Sequence, residues 1–244
     1  PMVSNDVALR FDGTDITATG RIREPETLTA VATIDIRHRL GNSEGRALIE
    51  VPSLTFTERF QPELLTPLTL GVIANVDGEI SGSGRIDWDG SGNGIKSTGA
   101  FRTNGINLAA AFGPVTGLAG EIKFSDLLAL ETGPEQVVTL SEVNPGVAVF
   151  GGRIRYRLLP DYKMQVEGGQ WPFAGGKLYL EPTILDLSEE AERRLQFTVE
   201  GVDAAQFLTQ FDFENLTATG VFDGKLPMDF DQDGGRVVGG YLVA

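Results

Sequence analysis

The chain has 244 residues, and its 34 acidic against 20 basic side chains leave a net charge of -14, which repels a phosphate backbone and argues against nucleic acid or an anionic membrane surface as the main partner. It contains no cysteine, so disulfides, thiolate metal sites and cysteine nucleophiles are excluded and the redox compartment stays open. At 41% hydrophobic content it can bury a substantial apolar surface, yet no apolar run of about 18 residues exists to span a bilayer, and the N-terminal PMVSNDVALRF lacks the regions of a secretory signal.

Period-two alternation runs through almost the whole chain. Val7, Leu9 and Phe11 alternate with Ala8 and Arg10, and Ile34 and Ile36 with Thr33, Asp35 and Arg37. Gln61 to Leu65, bracketed by Pro62 and Pro67, is a weak helical candidate, and the glycine-rich stretch from Asp89 to Gly94 reads as a hairpin tip. Glycine-led strands begin at Gly84, Gly99, Gly120, Gly152 and Gly176. The most explicit pattern lies between Gly152 and Leu180: Ile154, Tyr156 and Leu158 alternate with Arg153, Arg155 and Arg157, one face apolar and the other cationic. Glycine pairs at 151-152, 168-169 and 175-176 punctuate these runs, with Pro160-Asp161 and Trp171-Pro172 as turn chemistry. Ser188 to Glu192 reads as a hairpin loop between strands 183–187 and 195–200, the second with Leu195, Phe197 and Val199 on one face. Asp203 as N-cap, followed by apolar positions 204, 207, 208 and 211, predicts one short amphipathic helix near 203–211. Thr-Ala-Thr-Gly occurs twice, at 17–20 and 217–220, without a fixed-period repeat around it. Arg236 to Ala244 stops inside a β pattern without a polar tail. The expectation is a mainly all-β chain, a single continuous unit over 1–244 cut from a longer chain.

Several short patterns invite chemistry. Gly41-Asn-Ser-Glu-Gly45 matches a nucleophile elbow, but a strand follows it and the only histidine, His38, lies on the strand before it, so a hairpin turn is expected. Asp229, Asp231, Asp233 and Gly234 copy the start of a calcium loop, but Gly240 stands where the bidentate glutamate belongs, and a solvated turn is the default. Asp87 and Asp89 flank Trp88 like a glycosidase acid pair, but Ile86 and Trp88 claim the inner face, which turns the aspartates to water. There is no phosphate loop and no strand-to-helix G-x-G-x-x-G.

From Gly120 onward, several phrases together resemble the YdbH-like branch of the AsmA and TamB-like proteins: Gly120-Glu-Ile-Lys-Phe-Ser-Asp-Leu127, Val143-Asn-Pro-Gly-Val147, Gln170-Trp-Pro-Phe-Ala-Gly-Gly176, Val202-Asp-Ala-Ala205, and Glu214-Asn-Leu-Thr-Ala-Thr-Gly-Val-Phe-Asp-Gly224 followed by Leu226-Pro227. The similarity is clearest over residues 84–240. It implies a bacterial envelope protein that moves phospholipid between inner and outer membranes, with no catalytic residues, metal or cofactor. The implied architecture is a long curved antiparallel sheet, a taco-shaped groove apolar on its concave face and polar on its convex one. Such a groove answers a definite energetic need, since exposing two sixteen-carbon tails to water costs on the order of 25 kcal/mol at roughly 0.8 kcal/mol per methylene.

On this resemblance the groove-lining candidates are Ile154, Tyr156, Leu158, Leu178, Leu180, Leu195, Phe197 and Val199. The partners implied are phospholipid acyl chains and an envelope protein pairing with a sheet edge, with no nucleic acid. The place implied is the periplasm, in a full-length protein anchored in the inner membrane. The alternation alone fits equally a structural or protein-binding β module of the envelope whose apolar face is a sealed core. A binder of small soluble ligands would need convergent cationic groups, and Arg153, Arg155 and Arg157 splay along one strand.

Overall fold

The computed structural model describes residues 2–66, 69–70, 72–91, 94–110, 113–145, 147–187, 193–210, 215–231 and 234–244. The alternating segments form seventeen strands of one sheet, with antiparallel pairing throughout. β1 (Ala8–Phe11), β2 (Asp15–Arg23), β3 (Ala30–Arg39), β4 (Glu44–Phe56), β5 (Ile73–Trp88), β6 (Lys96–Ala110) and β7 (Gly113–Asp126) follow one another as a meander. β8 (Glu131–Thr132) and β9 (Gln136–Val143) both pair with β7 and share a rung, and β10 (Val149–Leu159) and β11 (Lys163–Phe173) come next. β12 (Gly176–Leu180) and β13 (Thr183–Asp186) share the rung beyond β11; after β14 (Arg193–Asp203) and β15 (Val221–Asp231), β16 (Gly234–Val237) and β17 (Tyr241–Val243) share the last. Three shared rungs reduce seventeen strands to fourteen levels, which at about 4.8 Å each span about 60–65 Å.

A single sheet offers its apolar face nothing to pack on but itself and its connections. Val199 and Val202 are nonetheless fully buried, and Trp171 is 3% exposed, so the sheet curls over that face. The bends occur at register shifts, where one strand carries extra residues and the local twist increases. On β4 the shift between Val51 and Leu54 leaves both buried on the same side although they are three residues apart, and on β14 the shift between Val199 and Val202, with Gly201 at φ 63, does the same.

The predicted helix is present as α1 (Ala204–Gln210), capped by the Asp203 carboxylate, which accepts the Gln206 N–H at 2.8 Å; position 211 lies outside the described residues. Phe207 of α1 meets Phe173 and Phe222 edge-on, with centroids 6.1 and 5.2 Å apart, and Gln210 Nε2 donates to the Ala148 carbonyl at 2.8 Å, tying the helix to the β9–β10 connection. The weaker candidate around Gln61 is one turn of 3-10 helix, Pro62–Leu64. There the Gln61 side chain substitutes for a missing strand: its amide accepts the Val76 N–H and donates to the Val76 carbonyl, both at 2.8 Å.

Two sequence expectations are corrected. Gly151-Gly152 and Gly168-Gly169 lie inside β10 and β11, and Trp171-Pro172 ends β11 as strand instead of turning. Gly152 and Gly169 are there because Trp171 lies across them, Gly151 and Gly168 because their φ of 68° and 140° suits glycine, and Pro172 is tolerated because the β10 ladder stops at Arg153 and Gln170, short of it. The Ser188 to Glu192 loop falls outside the described residues.

Candidate functional site

Cross-strand partners share a face, so the pairing register identifies the inner side rung by rung. Ile154 stands opposite Gly169, Gly169 opposite Leu180, Leu180 opposite Phe197, and Phe197 opposite Leu226. Beside this row run Trp171, Leu178 and Val199 on one side and Leu195 and Met228 on the other. The outer side carries Arg153, Arg155 and Arg157, the last held by its partner Gln165 at 2.7 and 2.9 Å, and Thr198, whose hydroxyl donates to Glu181 at 2.6 Å. Ion pairs such as Arg85–Asp87 and Arg194–Asp229, each 2.6 Å, also lie on this side, where water screens them. The sheet therefore presents a wet side and a dry one.

On the dry side, the buried residues form two clusters. One joins Ala32, Val51, Leu54, Phe56, Phe60, Val76 and Ile106; the other extends from Val115 through Trp171 and Val199 to Phe230; and Leu108 of β6 packs against both. The second cluster is not filled solid. It leaves a half-open cavity of about 360 Å³ whose described lining residues are all apolar or glycine. Its lining includes Leu178, Leu180, Leu195 and Phe197 of β12 and β14, Pro145 and Val147 of the β9–β10 connection, and Phe230 and Val237 of β15 and β16. The described lining carries no charged group, and it favours apolar matter.

Trp171 is one of the lining residues. Its indole spans from Gly169 to Gly152, and its buried Nε1 has no hydrogen-bond partner, an arrangement that costs about 1–3 kcal/mol and leaves the ring held by packing alone. Tyr156, opposite Val166, is 9% exposed, and burial pushes its phenol up to about 12.

Of the eight predicted lining residues, Ile154, Leu178, Leu180, Leu195 and Phe197 line the cavity. Tyr156, Leu158 and Val199 share its face without lining it: Val199 is sealed at 0% exposure, and Leu158 stands opposite Met164 with its N–H on the Thr132 hydroxyl at 2.9 Å. Lining residues that the sequence reading passed over include Val166, Trp171, Phe173, Leu226, Met228 and Phe230. The alternation of Leu226, Met228 and Phe230 with Lys225, Pro227 and Asp229 was a usable signal for three of them.

The other chemical patterns resolve as local structure. Ser43, at φ 56, sits in the β3–β4 hairpin turn, and His38 Nδ1 accepts the Trp88 indole N–H at 3.1 Å, far from any triad arrangement. Asp87 is bonded to Arg85, whose guanidinium holds its carboxyl below the usual range. Asp229 is likewise lowered by Arg194; Asp233 is outside the described residues, and among those described no three His, Cys, Asp or Glu side chains converge on a metal position. Two hollows of about 500 Å³ on the outer face mix acidic and basic side chains and are open to water.

No curated protein and no solved structure matches the chain. A family model described as "YdbH-like: Intermembrane phospholipid transport protein YdbH" matches it over residues 1–244. One antiparallel sheet with a polar outer face, a continuous apolar inner one and no reactive group in its cavity agrees with that description, and the chain belongs to the YdbH-like family of intermembrane phospholipid transport proteins.

Proposed function

We propose that this chain is a segment of a bridge-like conduit in the bacterial envelope, whose apolar concave face shields phospholipid acyl chains as they move between the inner and outer membranes. The observation that carries the proposal is the cavity of about 360 Å³ lined without a single charge, on the inner face of a sheet matched over residues 1–244 to an intermembrane phospholipid transport family. Ile154, Leu178, Leu180, Leu195 and Phe197 contact the tails, and Tyr156, Leu158 and Val199 hold the wall they stand on. The headgroup stays in water, so no polar recognition is needed inside. The apolar face also reaches the edge strands, with Leu9 and Phe11 at one end and Val237 and Leu242 at the other, all exposed, which is the form expected of a stretch of groove that continues into neighbouring rungs. The setting is the periplasm, with anchorage in the inner membrane supplied elsewhere; among the described residues no helix is long and apolar enough to cross a membrane.

The test is site-specific photo-crosslinking in cells, with a photoreactive residue at Phe197 and, as the control, at Thr198 on the outer face. Labelled phospholipid is captured at Phe197 and not at Thr198. Capture at neither, with the protein folded and present, refutes the conduit. A second reading, a structural or protein-binding β module, is supported by the complete burial of Val199 and Val202 and by the exposed apolar edge strands, which offer unpaired backbone for a partner strand. It requires the Phe197 probe to capture protein and no lipid.

A further inference from the structure

The cavity imposes a limit that the length of the groove does not. A methylene is close in size to a water molecule, whose share of liquid volume is roughly 30 Å³, so about 360 Å³ accommodates about twelve methylenes. Two full tails would need more than twice that volume. The surroundings offer little room to expand, because the inner face is filled toward β7 by Val115, 2% exposed, and toward α1 by Val199 and Val202, both at 0%. The Trp171 indole in the lining is itself braced across Gly152 and Gly169. Nor does the lining distinguish one headgroup from another, since it holds no charge.

Resting on the lipid-holding reading above, we infer that the cavity is a single-tail station: it takes one acyl chain to a depth of about twelve carbons, and a two-tailed lipid inserts one tail while the other lies outside. Passage along this stretch is then a tail-by-tail exchange in which the inserted chain is gripped and the second leads or trails. The grip is purely apolar, so it grows with each methylene buried and stops growing when the cavity is full. Each added methylene tightens binding about fourfold while it still finds space.

The test is a chain-length series on the 244-residue chain. Alkylphosphocholines from octyl to octadecyl, each below its critical micelle concentration, are titrated by calorimetry; they are zwitterionic, so the net charge of -14 does not repel them. Affinity rises about fourfold per methylene up to dodecyl and is flat beyond it, with one ligand per chain. Leu195→Trp fills about two methylenes' worth of the cavity and moves the break to decyl, and Met228→Ala opens about as much and moves it to tetradecyl; circular dichroism checks the fold of both, and either shift alone suffices. An affinity that climbs unbroken to octadecyl overturns the station and leaves the conduit standing, because the tail then runs on along the groove. Absence of any binding, or binding indifferent to chain length, overturns the lipid-holding reading and the station with it.

Discussion

Replacing Gly152 with alanine tests whether the glycine is there to accommodate the indole of Trp171. A Cβ built on Gly152 lands 2.0 Å from Trp171 Nε1, 2.4 Å from Leu140 Cδ1 and 2.6 Å from Trp171 Cδ1, where ordinary contacts lie at about 3.5–4.0 Å. The ring has little freedom to retreat. Its far edge lies over Gly169, whose own Cβ would meet Cη2 and Cζ3 at 2.8 Å and the Leu180 Cβ at 3.1 Å. Overpacking costs about 1–3 kcal/mol, and with both ends of the ring held the upper half of that range applies, about 2–3 kcal/mol, or about 4–12 °C in Tm for a chain of this length. Urea unfolding followed by circular dichroism gives the value, with the slope unchanged. Trp171→Leu alone costs about 2–4 kcal/mol as a large-to-small core change. In that background the alanine costs less than about 0.5 kcal/mol, a coupling of about 2 kcal/mol between the two positions. An alanine that costs the same with and without the indole refutes the reasoning and transfers the clash to Leu140 or the backbone.

Asp203→Ala removes the cap of α1 and costs about 1 kcal/mol, read as faster amide exchange over residues 204–210. Glu24 is 2% exposed and accepts the Glu26 and Thr27 N–H groups and the Thr27 hydroxyl, and these bonds, the Glu26 N–H first, hold its carboxyl below the ordinary 4.5. Because the folded value is the lower one, its contribution is present above pH 4.5 and lost as pH falls through the folded value; Glu24→Gln flattens that acid limb in a pH series of urea melts. Tyr156 has the opposite sign: its folded value of about 12 lies above the ordinary 10.0, so stability is lost as pH rises between them. Its phenol ionises above the ordinary value in a spectrophotometric titration, and Tyr156→Phe removes that late step.

The faces of the strands were legible wherever period two runs unbroken. Ile154 against Arg153 and Arg155, and Leu195 and Phe197 against Gln196 and Thr198, fall on the sides that alternation assigns. Alternation fails at register shifts, where an extra residue resets the phase. Val199 and Val202 are three apart and both inside, and only the pairing with Gly224 and Phe222 reveals it. Glycine misled for a different reason: the pairs at 151-152 and 168-169 look like punctuation, but Gly152 and Gly169 are gaps left for the Trp171 indole, information that lies in the contact and not in the local string. The repeated Thr-Ala-Thr-Gly makes the same point, lying in β2 at 17–20 and outside any strand at 217–220. The helix was legible because its cap and apolar spacing are local. The cavity was not, because an unfilled volume depends on how far the whole sheet curls.

The meander has a consequence for how such a molecule acquires its length. Every rung bonds only to rungs that adjoin it along the chain, so inserting or deleting a whole hairpin changes the sheet by two levels, about 10 Å, without rewiring any other pair. Stability is then close to a sum over neighbouring levels, as in repeat architectures, where folding can start at one level and spread to the next. Evolution can thus lengthen or shorten the sheet by duplicating or losing hairpins, one increment at a time.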